Sequence, residues 1–234
     1  MEKFNYTQSL RNEQLIAVYG PRRSGTNYLA ELLLVNTQYV IANFDATPAP
    51  RISGNPRSRM LYASNGSKHD LSDRRPEEKY PPDAVHLFVF KPLLSWIFSR
   101  VAYHRRRVAL PSSEVKGFAR KAVQAEYLSM LSALTAHVDG PLKGCAMALI
   151  NYDELSLASL GRLLDRLGLR YQMPLIDVIA EAAPGGSLGH RFQPKRPEQL
   201  VPELELHADL FAICTEALNG GDERVLRFYE RIFE

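Results

Sequence analysis

LIAVYGPRRSGTNYLAELLLVN, residues 15–36, carries the local pattern from which the fold is read. Leu15–Tyr19 is a short apolar run ending at Gly20, the signature of a buried strand that feeds a tight turn. From Asn27 to Asn36 the apolar residues Tyr28, Leu29, Leu32, Leu33 and Val35 recur at helical spacing. The order is therefore strand, glycine loop, helix. The loop Gly20-Pro21-Arg22-Arg23-Ser24-Gly25-Thr26-Asn27 lies where unsatisfied backbone N–H groups and the positive end of the helix dipole favour a phosphate. Gly20 and Gly25 have the spacing of the G-x-x-x-x-G-K-[ST] phosphate loop, but Thr26 stands in place of the lysine that a nucleoside triphosphatase sets on its outer phosphates. The cations come earlier, at Arg22 and Arg23. That layout suits one phosphate in the loop better than a triphosphate chain.

Reading outward, Tyr39–Phe44 is a second strand candidate, Val85–Phe90 (VHLFVF) the clearest central strand, and the run from Cys145 to Ile150 (CAMALI) another. Helices are expected over Leu94–Arg106, over Ser113–His137 with Ser112 or Ser113 as cap, and over Leu155–Leu167 ending at Gly168. Two more, Leu200–Leu218 and Glu223–Phe233, close the chain. Strands alternating with helices imply a P-loop-type three-layer α/β domain, with a central, mostly parallel sheet flanked by helices. No repeat or linker divides residues 1–234, so one domain is expected, with a loop excursion at about 45–84 rich in Pro, Ser, Arg and Asn. Loops of that length are usually functional lids or disordered segments, and this one is expected beside the site.

Of 234 residues, 45% are hydrophobic and 24% charged, as in ordinary globular proteins. A net charge of +3 is too mild to imply nucleic-acid binding, and no nucleic-acid module is present. The basic residues cluster, however, at Arg22-Arg23, Arg57 to Arg59, Arg74-Arg75, Arg105 to Arg107 and Arg191 to Arg196. Such clusters suit a small, highly charged anion or form solvated faces. Cys145 and Cys214 read as core thiols with no disulfide or zinc spacing. Residues 1–14 lack the apolar stretch of a signal peptide, and no run approaches the roughly 20 apolar residues of a membrane span. A cytoplasmic location is the expectation.

Three segments together resemble the PAPS-dependent sulfotransferases, which use 3′-phosphoadenosine 5′-phosphosulfate (PAPS). Arg23-Ser24-Gly25-Thr26-Asn27-Tyr28-Leu29 resembles that family's donor loop of Arg or Lys, Ser-Gly-Thr and a second hydroxyl. FVFKPLLSWIFSR, Phe88 to Arg100, resembles its second donor motif, in which a basic residue ends a strand and a serine follows eight positions on; here 99 − 91 = 8 pairs Lys91 with Ser99. Ile150-Asn151-Tyr152-Asp153-Glu154-Leu155 is similar to its Tyr-Glu-Asp-Leu segment. The resemblance spans Leu15 to about Leu169 and implies that Arg23, Ser24, Gly25, Thr26 and Asn27 hold the 5′ end of the donor, where Arg22 is expected as a further cation, and that Lys91 and Ser99 hold its 3′-phosphate. It also implies that Tyr28 stacks on adenine, while packing on the sheet is an equal expectation. The chain departs from the pattern in three ways. Lys91 stands where Arg is common, Asn27 replaces a hydroxyl residue, and the segment from Gly185 to Arg196 lacks the Arg-Lys-Gly of the cytosolic branch. Arg191, Lys195 and Arg196 either cover the nucleotide or form a solvated loop.

Sulfuryl transfer needs the moving group in line and the departing phosphate oxygen stabilised, a role that suits Arg23. The acceptor, a hydroxyl or amine on a carbohydrate or small molecule, needs a general base. His69 is the first candidate, since the family places a His or Glu base in that region, and Lys68 is the expected helper at the bridging oxygen. Glu31 is the non-histidine alternative, and His86 and His104 are weaker ones. Trp96 reads as core. No metal site is expected, because no carboxylate pair or HxxxH cluster occurs. The competing readings are a P-loop kinase or nucleoside triphosphatase and a non-catalytic PAPS- or nucleotide-binding protein.

Overall fold

The computed structural model describes residues 15–42, 59–61, 69, 71, 84–140, 142–176 and 196–233. Five strands form one sheet: β1 (Leu15–Tyr19), β2 (Val40–Ala42), β3 (Arg59–Leu61), β4 (Val85–Phe90) and β5 (Met147–Asn151). Their order is β3-β2-β1-β4-β5 and every pairing is parallel. Helix α1 (Thr26–Asn36) joins β1 to β2. Between β4 and β5 lie α2 (Leu93–Val108), α3 (Ser112–Ala122), a wide π-helical segment at Val123–Leu128, and α4 (Ser129–Asp139). After β5 come a 3-10 turn at Tyr152–Glu154, α5 (Leu157–Arg166), α6 (Pro197–Leu200), α7 (Leu204–Asn219) and α8 (Glu223–Phe233).

A parallel sheet must be covered on both faces, and strand alternation divides this core in two. Leu15, Ala17, Tyr19, Phe88 and Phe90 point to the side packed by α2, α3, α4, α7 and α8. Ile16, Val18, Val85, Leu87 and Val89 point to the side packed by α1 and α5. The chain is thus an α/β protein with an all-parallel sheet between helical layers. Chain order runs outward one way from β1 through β2 to β3 and the other way from β4 to β5, so it reverses between β1 and β4. Ligands of open α/β sheets bind at such a crevice, beyond the carboxyl ends of the strands.

Strands β1 and β4 and helix α8 have the expected bounds. The excursion at 45–84 is not all loop, because Arg59–Leu61 pairs with Val40–Ala42; three residues are too few to show alternation. Residues 113–137 form no single α-helix, since the π segment interrupts it at Val123. Ser112 and Ser113 sit inside the first turn of α3 after Pro111, and no side chain caps that helix. Cys145 precedes β5 and is only partly buried, whereas Cys214 is buried in α7. The helix expected at Leu155 starts at Leu157, because Tyr152–Glu154 turns first and Ser156 caps α5, its Oγ accepting from the Ser159 N–H at 3.2 Å. Gly168, at φ 65°, follows the helix end as expected. Leu200–Leu218 is split into α6 and α7 around Pro202. Among the described residues no helix is long and apolar enough to cross a membrane.

Gly20 and Gly117 make a pair with opposite expectations. A Cβ on Gly20 would lie 2.2 Å from the Val89 carbonyl oxygen, which is backbone and cannot rotate away. On exposed Gly117, within α3, it would meet nothing within 4 Å. Gly20→Ala should lower unfolding free energy by about 1–3 kcal/mol, whereas Gly117→Ala should raise it by about 0.5–1 kcal/mol. Urea unfolding monitored by Trp fluorescence distinguishes the two signs.

Candidate anion site at the carboxyl ends of β1 and β4

The close approach of Gly20 to Val89 lets the chain leave β1 and turn back over the sheet. The turn is closed by the Ser24 N–H donating to the Pro21 carbonyl at 3.1 Å. Arg23 has φ 72° and Gly25 φ 96°, both left-handed. Such a conformation is costly for a side chain like that of Arg23, and strained residues of this kind concentrate at binding sites. Gly25 is the N-cap of α1, which has neither a side-chain cap nor an acidic residue in its first turn. The dipole at that end is therefore not offset by a carboxylate of its own helix. Ser24 and Thr26 are buried, and Ser24 Oγ has no hydrogen-bond partner among the described residues.

Lys91 enters from the neighbouring strand. Phe90 pairs with Asn151, so Lys91 and Tyr152 leave the sheet at the same level. Lys91 Nζ sits 4.3 Å from the centroid of the Tyr152 ring. A second contact of that ring removes all room at Gly25, where a Cβ would lie 2.0 Å from Tyr152 Cδ2. Tyr152 thus packs against both the β1–α1 loop and the Lys91 cation. Burial pulls the Lys91 ammonium down to about 8; Asp153 opposes this and the nearby Arg23 adds to it. Burial and Asp153 push the Tyr152 phenol up to about 12, while Arg23 opposes them. Arg23, Lys91, Tyr152 and Asp153 therefore share one electrostatic neighbourhood.

Two buried rings hold this arrangement from below. Trp96 Nε1 donates to the Arg22 carbonyl at 2.6 Å, and Tyr127 Oη donates to the Lys91 carbonyl at 2.5 Å. Their ring centroids are 5.0 Å apart. Burial holds the Tyr127 phenol well above its ordinary range, so it remains a donor. Tyr127 reaches Lys91 from the π segment, a wide turn of the kind often found at functional sites.

His69 Nδ1 lies 2.7 Å from the Gly20 carbonyl oxygen, which can only accept, so Nδ1 carries the proton. In the neutral ring Nε2 is then the basic nitrogen. The structure accordingly brings together Arg22, Arg23, Ser24, Gly25, Thr26, Asn27, Lys91 and His69. Tyr28 is buried and meets Tyr152 edge-on, with ring centroids 6.0 Å apart. Ser99 is buried within α2 and makes no hydrogen bond to Lys91 among the described residues. Glu31 is buried in α1. His86 is buried beside Tyr19, and burial lowers it to about 4, so it is neutral at physiological pH. His104 stacks on Phe118 at 4.0 Å. Lys68, Arg191 and Lys195 lie outside the described residues, while Arg196 is exposed at the start of α6. The contacts of Tyr152 and Tyr127 escape a local reading because both act across long sequence separations; the segment at residues 150–155 marks Tyr152 in sequence but not its contacts with Gly25 and Lys91. Among the described residues no group of three or more His, Cys, Asp or Glu side chains is placed to hold a metal ion. An open cleft of about 330 Å³ between α2 and α6, lined in part by Ala102, Arg106 and Leu200, includes none of the loop residues.

Removing the Tyr127 hydroxyl leaves a buried carbonyl without its partner. Tyr127→Phe should cost about 1–3 kcal/mol in denaturant unfolding, the usual penalty for an orphaned buried acceptor. No family model matches the chain, and no curated protein matches it either.

Proposed function

We propose that the chain is a PAPS-dependent sulfotransferase, moving a sulfuryl group from PAPS to a hydroxyl or amine acceptor such as a carbohydrate or small molecule. One observation carries the reading: Arg23 and Lys91, from adjacent strand ends at the point where strand order reverses, meet beside an uncapped helix N-terminus. The orphaned hydroxyl of Ser24 adds to it, since a bound oxyanion would accept its hydrogen bond. Thr26, where a nucleoside triphosphatase has lysine, favours this donor over ATP.

In the proposed reaction the acceptor oxygen attacks sulfur, and the bond from sulfur to the 5′-phosphate oxygen breaks. The acceptor proton passes to Nε2 of His69, and adenosine 3′,5′-bisphosphate departs. Arg23, with the N–H groups of the loop, takes up the charge that develops on the leaving oxygen. Lys91 holds the 3′-phosphate. Ser99 keeps the role that the resemblance implies, although the residue is buried in α2 and makes no bond to Lys91 here. Lys68 is proposed at the bridging oxygen. Calorimetric titration with PAPS and with ATP, followed by transfer of labelled sulfate into fractionated cell extract, tests the reading. ATP binding with no PAPS binding would replace it with the kinase reading, and PAPS binding without transfer would leave a non-catalytic binder.

Lys91 sets the pH dependence. Its ammonium loses its proton near 8 in the free protein, and an anion binds the protonated form. Above pH 8 binding must therefore be accompanied by proton uptake. The Kd of adenosine 3′,5′-bisphosphate should stay flat between about pH 7 and 8, where both phosphates are largely dianionic, and rise about tenfold per pH unit above that range. Lys91→Arg should abolish the rise. Lys91→Ala should weaken the bisphosphate far more than adenosine 5′-phosphosulfate, which lacks the 3′-phosphate; equal losses would remove the assignment.

His69 carries two duties, a donor to Gly20 and the proposed base. Asparagine can supply an N–H to the carbonyl but cannot take a proton. His69→Asn should therefore keep the bisphosphate affinity of the native chain while turnover drops by roughly 10²–10⁴-fold. Unchanged turnover would shift the search to Glu31.

A further inference from the structure

Arg100, Tyr103 and Arg107 are spaced by three and four residues, so they form one stripe along α2. Arg23 meets that stripe from the β1–α1 loop. Its Cζ lies 5.0 Å from the Tyr103 ring centroid, that of Arg107 5.4 Å and that of Arg100 6.0 Å. Three guanidinium groups therefore converge on one ring. The ring's electron-rich face attracts cations but does not neutralise them, and the cations repel one another.

Arg100 has its charge balanced by a carboxylate. Glu126 accepts from Arg100 Nε and Nη2 at 2.8 and 2.6 Å, and the rest of that guanidinium lies 5.0 Å from the Phe118 ring. Arg107 is exposed and has no acidic partner among the described residues. Its two neighbours are engaged elsewhere: Arg105 pairs with Glu203, and Arg106 Nε donates to the Ala102 carbonyl. The dipole at the end of α2 explains why three arginines occupy its last turn. It does not explain why Arg107 turns back to the ring that Arg23 also meets. Arg107 lies about 10 Å along the helix from Arg100, at 1.5 Å per residue. The stripe thus extends positive charge away from the loop.

We propose that this stripe is the acceptor-binding wall of the enzyme, and that the acceptor carries a carboxylate or sulfate of its own, held by Arg107. The proposal rests on the sulfotransferase reading, because Arg23 ties the stripe to the donor loop. It narrows the acceptor to an anionic hydroxyl compound.

The test uses the full chain saturated with adenosine 3′,5′-bisphosphate, with tetragalacturonate as acidic probe and maltotetraose as neutral probe. Calorimetry should show the acidic tetramer binding at least tenfold tighter. Arg107→Gln should lower that affinity about tenfold, the loss expected for one charge-assisted contact, and leave the bisphosphate Kd unchanged. Arg106→Gln removes the same charge one residue away and should change little. Equal affinity for the two tetramers overturns the proposal, as does an equal loss in the two variants, which would mark a diffuse charge effect. Failure of the bisphosphate itself to bind, with the Arg107-dependent preference intact, would instead remove the sulfuryl-transfer reading and keep the anion-binding wall.

Discussion

Gly20 passes so close to the Val89 carbonyl that a hydrogen is the only side chain the gap admits. That contact allows β1 to end against β4 and the following loop to fold over the sheet instead of away from it. The remaining site geometry depends on it. With the loop seated, α1 begins at the strand end, and Arg23 and Lys91 come from neighbouring segments into one electrostatic neighbourhood. A larger residue would force β1 and β4 apart where their register brings Tyr19 beside Phe88.

The two helical layers contribute unequally. The side packed by α1 and α5 supplies the helix N-terminus. The other side supplies the rings that hold the loop: Trp96 under Arg22, Tyr127 under Lys91, and Tyr103 beside Arg23. These contacts involve backbone carbonyls or ring faces, so they fix positions without themselves adding a carboxylate to the loop. Trp96 is both core, as its sequence context suggests, and a hydrogen-bond donor to the loop.

How much was legible in the sequence follows from how local each interaction is. Leu15–Tyr19 and Val85–Phe90 are buried on both faces, so they stand out as unbroken apolar runs with clear ends. The glycine loop stands out because strand, turn and helix signals meet there. Arg59–Leu61 does not, since a three-residue strand is stabilised by its neighbour β2 and not by its own composition. The π segment is equally hidden, because its residues have ordinary helical character and the extra width shows only in the backbone bonds. In the site, Arg23, Ser24, Thr26 and Lys91 could be named from their places at strand and helix ends. The covering of Gly25 by Tyr152, more than a hundred residues away, is a tertiary contact that no local pattern encodes. The eight-residue spacing of Lys91 and Ser99 can be counted in sequence, but it does not show their surroundings: Lys91 lies against a ring, and Ser99 is buried along α2.

The manner in which Lys91 is held has a kinetic meaning. Arg105 illustrates the alternative: its guanidinium is bound on two nitrogens by Glu203, and any other anion would first have to displace that carboxylate. Lys91 has no ion pair among the described residues and rests on the face of Tyr152. A ring gives up a cation without competing for it as an anion does, so no carboxylate among the described residues would have to be displaced for an anion to pair with Nζ. The ammonium is thus orientated by a ring face and not by a counter-ion, an arrangement in which pairing with an anion would break no existing ion pair among the described residues.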